Sequence, residues 1–221
     1  MYTICLVEDE EALSNVVRAY LERAGYDVVC FTKGEDAINY IGNKVDLWIL
    51  DIMLGDDVNG YDVIKAIREK DQNVPVIFTS ARDQELDKIF GLELGSDDYM
   101  TKPYSSKELV LRVNNIIKRV YKDKEKDNNI INYEDYIIDQ EKRSLQLDNK
   151  EIKLTSLEYD LVILFIKNKG KCFSREEILN LVWGNDYFGT DRVVDDLVRR
   201  IRKKLPKIKI DAVYGYGYRL L

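Results

Sequence analysis

Short apolar runs alternate with amphipathic stretches through the first half of the chain. The runs Thr3–Val7, Asp27–Phe31, Leu47–Asp51, Pro75–Thr79 and Asp98–Thr101 have the length of buried strands. Between and after them, Leu13–Arg23, Glu35–Ile41, Tyr61–Lys70, Leu86–Leu94 and Lys107–Val120 repeat apolar residues at helical spacing. Strand and helix in regular alternation predict a parallel sheet covered on both faces, an α/β doubly wound (βα)5 domain. Ligands of such a sheet sit at the carboxyl ends of its strands.

The pattern changes after residue 120. Tyr121–Asn129 (YKDKEKDNN) holds no apolar residue beyond Tyr121 and alternates in charge, which predicts a solvated linker. Short strand candidates follow in NYEDYIIDQEKRSLQLDNKEIKL, with Asp148-Asn149 as a hairpin turn. Helical patterns then cover Leu157–Lys169, Arg175–Trp183 and Arg192–Leu205, and KIKIDAVYGYGYRLL predicts a glycine-punctuated terminal hairpin. Sheet, three helices and hairpin is the order of an α+β winged helix-turn-helix domain. The expected organisation is therefore a first domain at 1–120, a linker at 121–129 and a second domain at 130–221.

Charge divides the chain in the same place. Residues 1–121 hold 22 acids and 14 bases, a net −8, whereas 128–221 hold 15 acids and 17 bases, a net +2. The two halves are expected to have different partners. No apolar run approaches the length of a spanning helix and the chain opens on a strand rather than a leader, so a cytoplasmic protein with no membrane partner is expected. Cys5, Cys30 and Cys172 are too few and too widely spaced for a disulfide framework or zinc site, and read as reduced core thiols. Histidine is absent, so any chemistry must rest on carboxylates, hydroxyls and lysine.

Such groups recur at strand ends. Glu8 and Asp9 close the first strand, Asp51 the third, Ser80 follows the fourth and Lys102 the fifth. Three carboxylates brought into one crevice repel each other unless a cation neutralises them, and an oxygen-only site suits Mg2+ or Mn2+. Asp51, at the tip of the apolar run DLWILDIML, is the candidate nucleophile for an aspartyl phosphate, with Ser80 and Lys102 placed to bind phosphoryl oxygens. A single acid at a strand end is ordinarily a solvated loop residue. An acid pair, an acid, a hydroxyl and a lysine at successive ends are not explained that way.

The segments LVEDEEA, DLWILDIML, PVIFTSAR and GLELGSDDYMTKPY resemble receiver domains, and together with the second half the chain resembles OmpR/PhoB-type two-component response regulators over nearly its whole length. The resemblance implies phosphorylation of Asp51 by a sensor histidine kinase. It implies a metal site of Glu8, Asp9, Asp51 and the carbonyl of Met53. It also implies a switch pair of Ser80 and Tyr99, a phosphate-binding Lys102, and a cis peptide between Lys102 and Pro103. On phosphorylation, the resemblance implies a homodimer through Lys88 with Glu108, Asp98 with Arg112 and Asp97 with Arg119. One departure borders the pocket: the family's DxMLPxxxG is DIMLGDDVNG here, with Gly55 for proline, one extra residue before Gly60, and the added acids Asp56 and Asp57.

In TDRVVDDLVRRIRKKL, Val194, Val198, Ile201 and Leu205 are expected to face the core and Arg192, Asp196, Arg199 and Lys203 to face outward, flanked by Arg200 and Arg202. The stretches LTSLEYDLVILFIKNKGKCFSREEILNLVWG and GYGYRL resemble the family's DNA-binding domain. That implies Arg192–Leu205 as recognition helix for double-stranded promoter DNA, Asp211–Arg219 as wing, and Trp183–Thr190 as a loop toward RNA polymerase. Arg199 and Arg200 are the expected base readers, and Arg202, Lys203 and Arg219 the expected phosphate or minor-groove contacts. Val193, Leu197 and Tyr214 replace the threonine, histidine and arginine common in the family. Two readings stay open beside this one: a regulator of the same fold acting without phosphorylation, and an Asp-nucleophile phosphatase. Met53 stands where such a phosphatase would need a second acid.

Overall fold

The computed structural model describes all of the chain except residues 56, 82–89, 92, 123–129 and 185–190. It divides into two compact units, Met1–Lys122 and Asp123–Leu221.

In the first unit, strands β1 (Thr3–Val7), β2 (Asp27–Phe31), β3 (Leu47–Asp51), β4 (Val76–Ser80) and β5 (Asp98–Thr101) form one sheet in the order β2-β1-β3-β4-β5. All four pairings are parallel. Strand side chains alternate between two cores. Ile4, Leu6, Ile49, Ile77 and Met100 pack with Val17 and Leu21 of α1 (Glu11–Arg23) and with Leu109, Val113 and Ile116 of α4 (Ser106–Ile117). Cys5, Val7, Trp48, Leu50, Val76 and Phe78 pack with Ala37 of α2 (Gly34–Tyr40) and with Val63, Ile64 and Ile67 of α3 (Gly60–Lys70). Covered on both faces, β3 and β4 are buried at every position. This explains why they read as unbroken apolar runs rather than alternating ones. The helix expected at 86–94 lies mostly outside the described residues.

A π-helical turn, Lys118–Lys122, extends α4. Tyr121, expected in the linker, belongs to the first unit: its hydroxyl donates to the Asp46 carbonyl at 2.9 Å and its ring lies 5.3 Å from that of Tyr2. The rest of the expected linker lies almost wholly outside the described residues.

The second unit opens with the antiparallel meander β6 (Ile130–Tyr133), β7 (Tyr136–Asp139), β8 (Ser144–Leu147) and β9 (Lys150–Ile152). Asp148 and Asn149 turn β8 into β9 with φ of 51° and 60°, the left-handed pair of a two-residue hairpin. Then come α5 (Ser156–Lys167), α6 (Arg175–Val182) and α7 (Arg192–Lys204). Helices α5 and α6 each begin on a capping box, Thr155 with Glu158 and Ser174 with Glu177. A second sheet, β10-β12-β11, joins Cys172–Ser174 (β10) to the terminal hairpin of β11 (Ile210–Val213) and β12 (Gly217–Leu220). Gly217 is required there: a Cβ would overlap the Phe173 carbonyl oxygen and come within 2.9 Å of Ser174 Cα. Strand β10 has three residues and no pattern of its own, so only its pairing with β12 reveals it.

The buried face of α7 is wider than expected. Val193 and Leu197, which stand where the family commonly has threonine and histidine, are 6% and 0% exposed and belong to the core with Val194, Val198, Ile201 and Leu205.

Candidate functional site

The strand order places β1 and β3 side by side with their helices on opposite faces, so a crevice opens at their carboxyl ends. Glu8, Asp9 and Asp51 meet there, with one carboxylate oxygen from each lying within 4.8 Å of the others. Glu8 and Asp51 are buried, whereas Asp9 is exposed. Lys102, which follows β5 and precedes cis-Pro103, places Nζ 2.7 Å from Glu8 Oε1 and 2.6 Å from Asp51 Oδ2. The Met53 N–H donates to Asp51 Oδ1 at 2.9 Å and the Gly55 N–H to Asp9 Oδ2 at 3.1 Å.

The local sequence explains why Asp51 is so firmly placed. Asn59 caps α3, its Oδ1 accepting the N–H groups of Tyr61 and Asp62, while Asp62 accepts the Asn59 N–H. Gly60 N–H donates to the Ile52 carbonyl. A Cβ at Gly60 would overlap the Asp51 carbonyl oxygen and lie 2.9 Å from Ile52 Cα. Asn59 and Gly60 thus bring the start of α3 directly against the end of β3.

Burial pushes the Glu8 carboxyl from its ordinary 4.5 up to about 7; Asp51 adds to the rise and Lys102 opposes it. For Lys102, burial acts to lower the ammonium pKa, but the hydrogen bonds and charges of Asp51 and Glu8 outweigh it and the net shift is upward. Glu8 Oε2 is buried without a hydrogen-bond partner. An all-oxygen donor set with one oxygen left unsatisfied fits a hard divalent cation.

Ser80 is the last residue of β4 and fully buried, and its carbonyl accepts the Lys102 N–H at 2.7 Å. Tyr99 is buried against Phe78, with ring centroids 6.4 Å apart.

Of the six residues expected between two copies, five pair within the chain. Arg112 donates to both Asp98 oxygens, at 2.9 and 2.7 Å, and to Glu108 at 2.6 Å, while Arg119 donates to Asp97 at 2.6 Å. Asp97 and Asp98 are buried. Lys88 lies outside the described residues.

On α7, Arg192, Arg199, Arg202 and Lys203 are exposed, and Arg219 is exposed on β12. Arg199 lies 3.4 Å from Asp196. Arg200 departs from its expected role as a base reader. Its side chain is 11% exposed and turns toward Glu158 at the start of α5, a carboxylate that also accepts from Lys204 at 2.6 Å. Arg202 points along the hairpin instead of straight outward, donating twice to the Ile210 carbonyl. Three residues that drew no attention in the sequence converge beside it: Asp195 accepts both Arg175 Nε and the Tyr218 hydroxyl at 2.7 Å. An acid in the first turn of a basic helix was the one signal that could have marked this cluster. Most of the expected polymerase loop lies outside the described residues.

A phosphoacceptor-type acidic pocket at a switch point, followed by a winged helix, defines a signal receiver joined to a DNA-binding module. Residues 4–114 match the response regulator receiver domain, and residues 149–220 match the C-terminal domain of transcriptional regulatory proteins. The chain is 50% identical to the transcriptional regulatory protein CssR of Bacillus subtilis, over 100% of this chain and 98% of CssR. It is 33% identical to the response regulator SaeR of Staphylococcus aureus, over 99% and 98%. Among solved structures, the response regulator DrrB of Thermotoga maritima, an OmpR/PhoB homologue, aligns over 100% of this chain and 99% of its own with a TM-score of 0.54 and 28% identity. The chain belongs to the OmpR/PhoB-type response regulators of two-component systems, a family of transcription regulators rather than enzymes. No helix among the described residues is long and apolar enough to cross a membrane.

Proposed function

We propose that Asp51 accepts a phosphoryl group from a sensor histidine kinase in the cytoplasm, that the phosphorylated chain forms a homodimer through its receiver, and that α7 and the hairpin then hold promoter DNA for RNA polymerase. The observation that carries the reading is Lys102 bridging Asp51 and Glu8 in a pocket where Glu8 keeps an unsatisfied oxygen. Glu8, Asp9, Asp51 and the Met53 carbonyl would hold Mg2+ or Mn2+. Such an ion supplies positive charge that offsets the pocket carboxylates and the oxygens of the phosphodonor.

An Asp51 carboxylate oxygen forms the new bond to phosphorus as the donor's bond to phosphorus breaks, and the departing group keeps that electron pair. Lys102, already held at the Asp51 oxygen, binds the charge developing on the phosphoryl oxygens, and the Ser80 hydroxyl donates to another of them. Buried Tyr99, on the strand that leads into Lys102, transmits the altered position of Ser80 to the face of β5 and α4. On the second unit, Arg192, Arg199, Lys203 and Arg219 supply the cationic contacts to the duplex.

The test is incubation of the chain with acetyl phosphate and Mg2+ followed by intact-mass measurement. Wild type gains one phosphoryl group and Asp51→Asn gains none. A folded wild type that is never modified would favour the regulator acting without phosphorylation.

A further inference from the structure

Helix α7 and the terminal hairpin are fastened to each other at two separate points. At the first, Asp195 accepts the Tyr218 hydroxyl of β12 at 2.7 Å and Arg175 Nε of α6 at 2.7 Å. At the second, Arg202 donates through Nε and Nη2 to the Ile210 carbonyl of β11, at 3.2 and 2.7 Å. The guanidinium groups of Arg175 and Arg202 both lie against the Tyr218 ring, 5.2 and 5.6 Å from its centroid. Positions 195 and 202 are separated by about 10 Å along the helix axis, at about 1.5 Å per residue.

One attachment would act as a pivot; two at that spacing fix an angle. The hairpin ends in Tyr214, fully exposed, and Gly215 at φ 71°, so the fastened hairpin projects a free tip beyond its base.

We propose that Asp195, Tyr218, Arg175 and Arg202 are positioning residues that set the angle between recognition helix and wing, so that Arg199 and Lys203 on one and Arg219 on the other meet a single duplex together. This rests on the reading of α7 and the hairpin as the DNA-contacting elements. The chemistry suits the role. Asp195 carries negative charge on a helix meant to approach phosphates, and Arg175 offsets it. Arg202 directs Nε and Nη2 to a backbone carbonyl, which holds its guanidinium against the hairpin and assigns it to alignment rather than to a phosphate contact. Order built in before binding does not have to be imposed during it.

The experiment uses the full chain and a duplex that wild type selects from a random-sequence pool. Arg219→Ala marks which hydroxyl-radical protections belong to the hairpin. Tyr218→Phe keeps the ring against both arginines and removes only the hydroxyl. It is expected to lower affinity about fivefold, the usual worth of one hydrogen bond, with loss confined to the hairpin protections. In the free protein, the same variant speeds amide hydrogen exchange over residues 211–219 and leaves α7 unchanged. Arg202→Gln lowers affinity while leaving the slope of log affinity against log salt at the wild-type value; a lost phosphate contact would reduce it by about 0.9. The proposal is overturned if Tyr218→Phe matches wild type in both footprint and exchange, if helix and hairpin loosen together, or if Arg202→Gln reduces the salt slope. If wild type selects no duplex, the DNA-contact reading is what fails, and the exchange result alone decides whether the hairpin is held.

Discussion

Raising the pH from 5 to 8.5 in the presence of a chelator is expected to weaken the first unit, by an amount set by Glu8. This side chain is fully buried, and burial raises its carboxyl from 4.5 to about 7, with Asp51 adding to the rise and Lys102 opposing it. A carboxyl whose folded pKa exceeds its unfolded one contributes stability that is complete below about 4.5 and is lost as the pH climbs through about 7. That displacement corresponds to roughly 3 kcal/mol, at about 1.36 kcal/mol per pH unit. It is a sizeable share of the roughly 5–15 kcal/mol that holds an ordinary domain folded. Mg2+ held at the proposed site of the folded pocket is expected to reverse the loss, returning about 2.7 kcal/mol at one hundred times its Kd. The assay is urea unfolding followed by the fluorescence of buried Trp48, in a Trp183→Phe background so that only the first unit reports. Asp98 is likewise raised by burial, so Glu8→Gln supplies the reference and the difference between the two proteins isolates Glu8. Equal pH dependence in wild type and Glu8→Gln, or equal stabilisation of both by Mg2+, would refute the reasoning.

Gly60→Ala should destabilise the first unit by about 1–3 kcal/mol, because its methyl overlaps the Asp51 carbonyl and forces α3 away from β3; unchanged thermal unfolding would show that the close approach is not required. Arg199→Ala and Arg200→Ala should behave oppositely. The first loses about 1–3 kcal/mol of discrimination between selected and unrelated duplex. The second lowers the stability of the second unit by about 1–3 kcal/mol, because its side chain is enclosed beside Glu158. Binding and denaturation measurements on both variants check the pair, and a purely selective defect in Arg200→Ala would contradict its burial.

The receiver pocket was legible because it depends on two regularities a sequence displays directly. Strand ends can be located from apolar runs, and a doubly wound sheet brings those ends together, so Glu8, Asp51, Ser80 and Lys102 could be placed without knowing a single contact. The second unit yielded less. Helical periodicity tells which residues share a face of α7, but not how much of the circumference its neighbours cover, and so it does not assign Val193 and Leu197 to the core. Nor does it show where a long cationic side chain ends. Arg200 and Arg202 carry their charges several bonds from the helix, far enough to turn toward Glu158 and Ile210 rather than follow the direction of their Cα–Cβ bonds. Strand β10 was invisible for a related reason, since its strand character is conferred by β12.

The ion pairs expected to join two receivers constrain how the proposed dimer gains its free energy. Asp98 and Arg112 are buried and doubly hydrogen-bonded within one chain, and Asp97 is held by Arg119 and by the Val76 N–H. Burial raises the Asp98 carboxyl even though Arg112 pulls it down, so the pair has already borne its desolvation. Opening it would leave a buried charge unpaired, which typically costs about 3–5 kcal/mol, and a matching pair across the interface would do little more than restore that loss. Exchanging inner pairs for outer ones is therefore close to neutral. The net gain must come from groups not yet committed to the core on the same helix, and Lys107, Asn114 and Leu111, the last 54% exposed, are among those α4 presents. In this arrangement the buried pairs act as supports that fix the pitch of α4 against β5. Phosphorylation would then act by changing how that supported surface is presented.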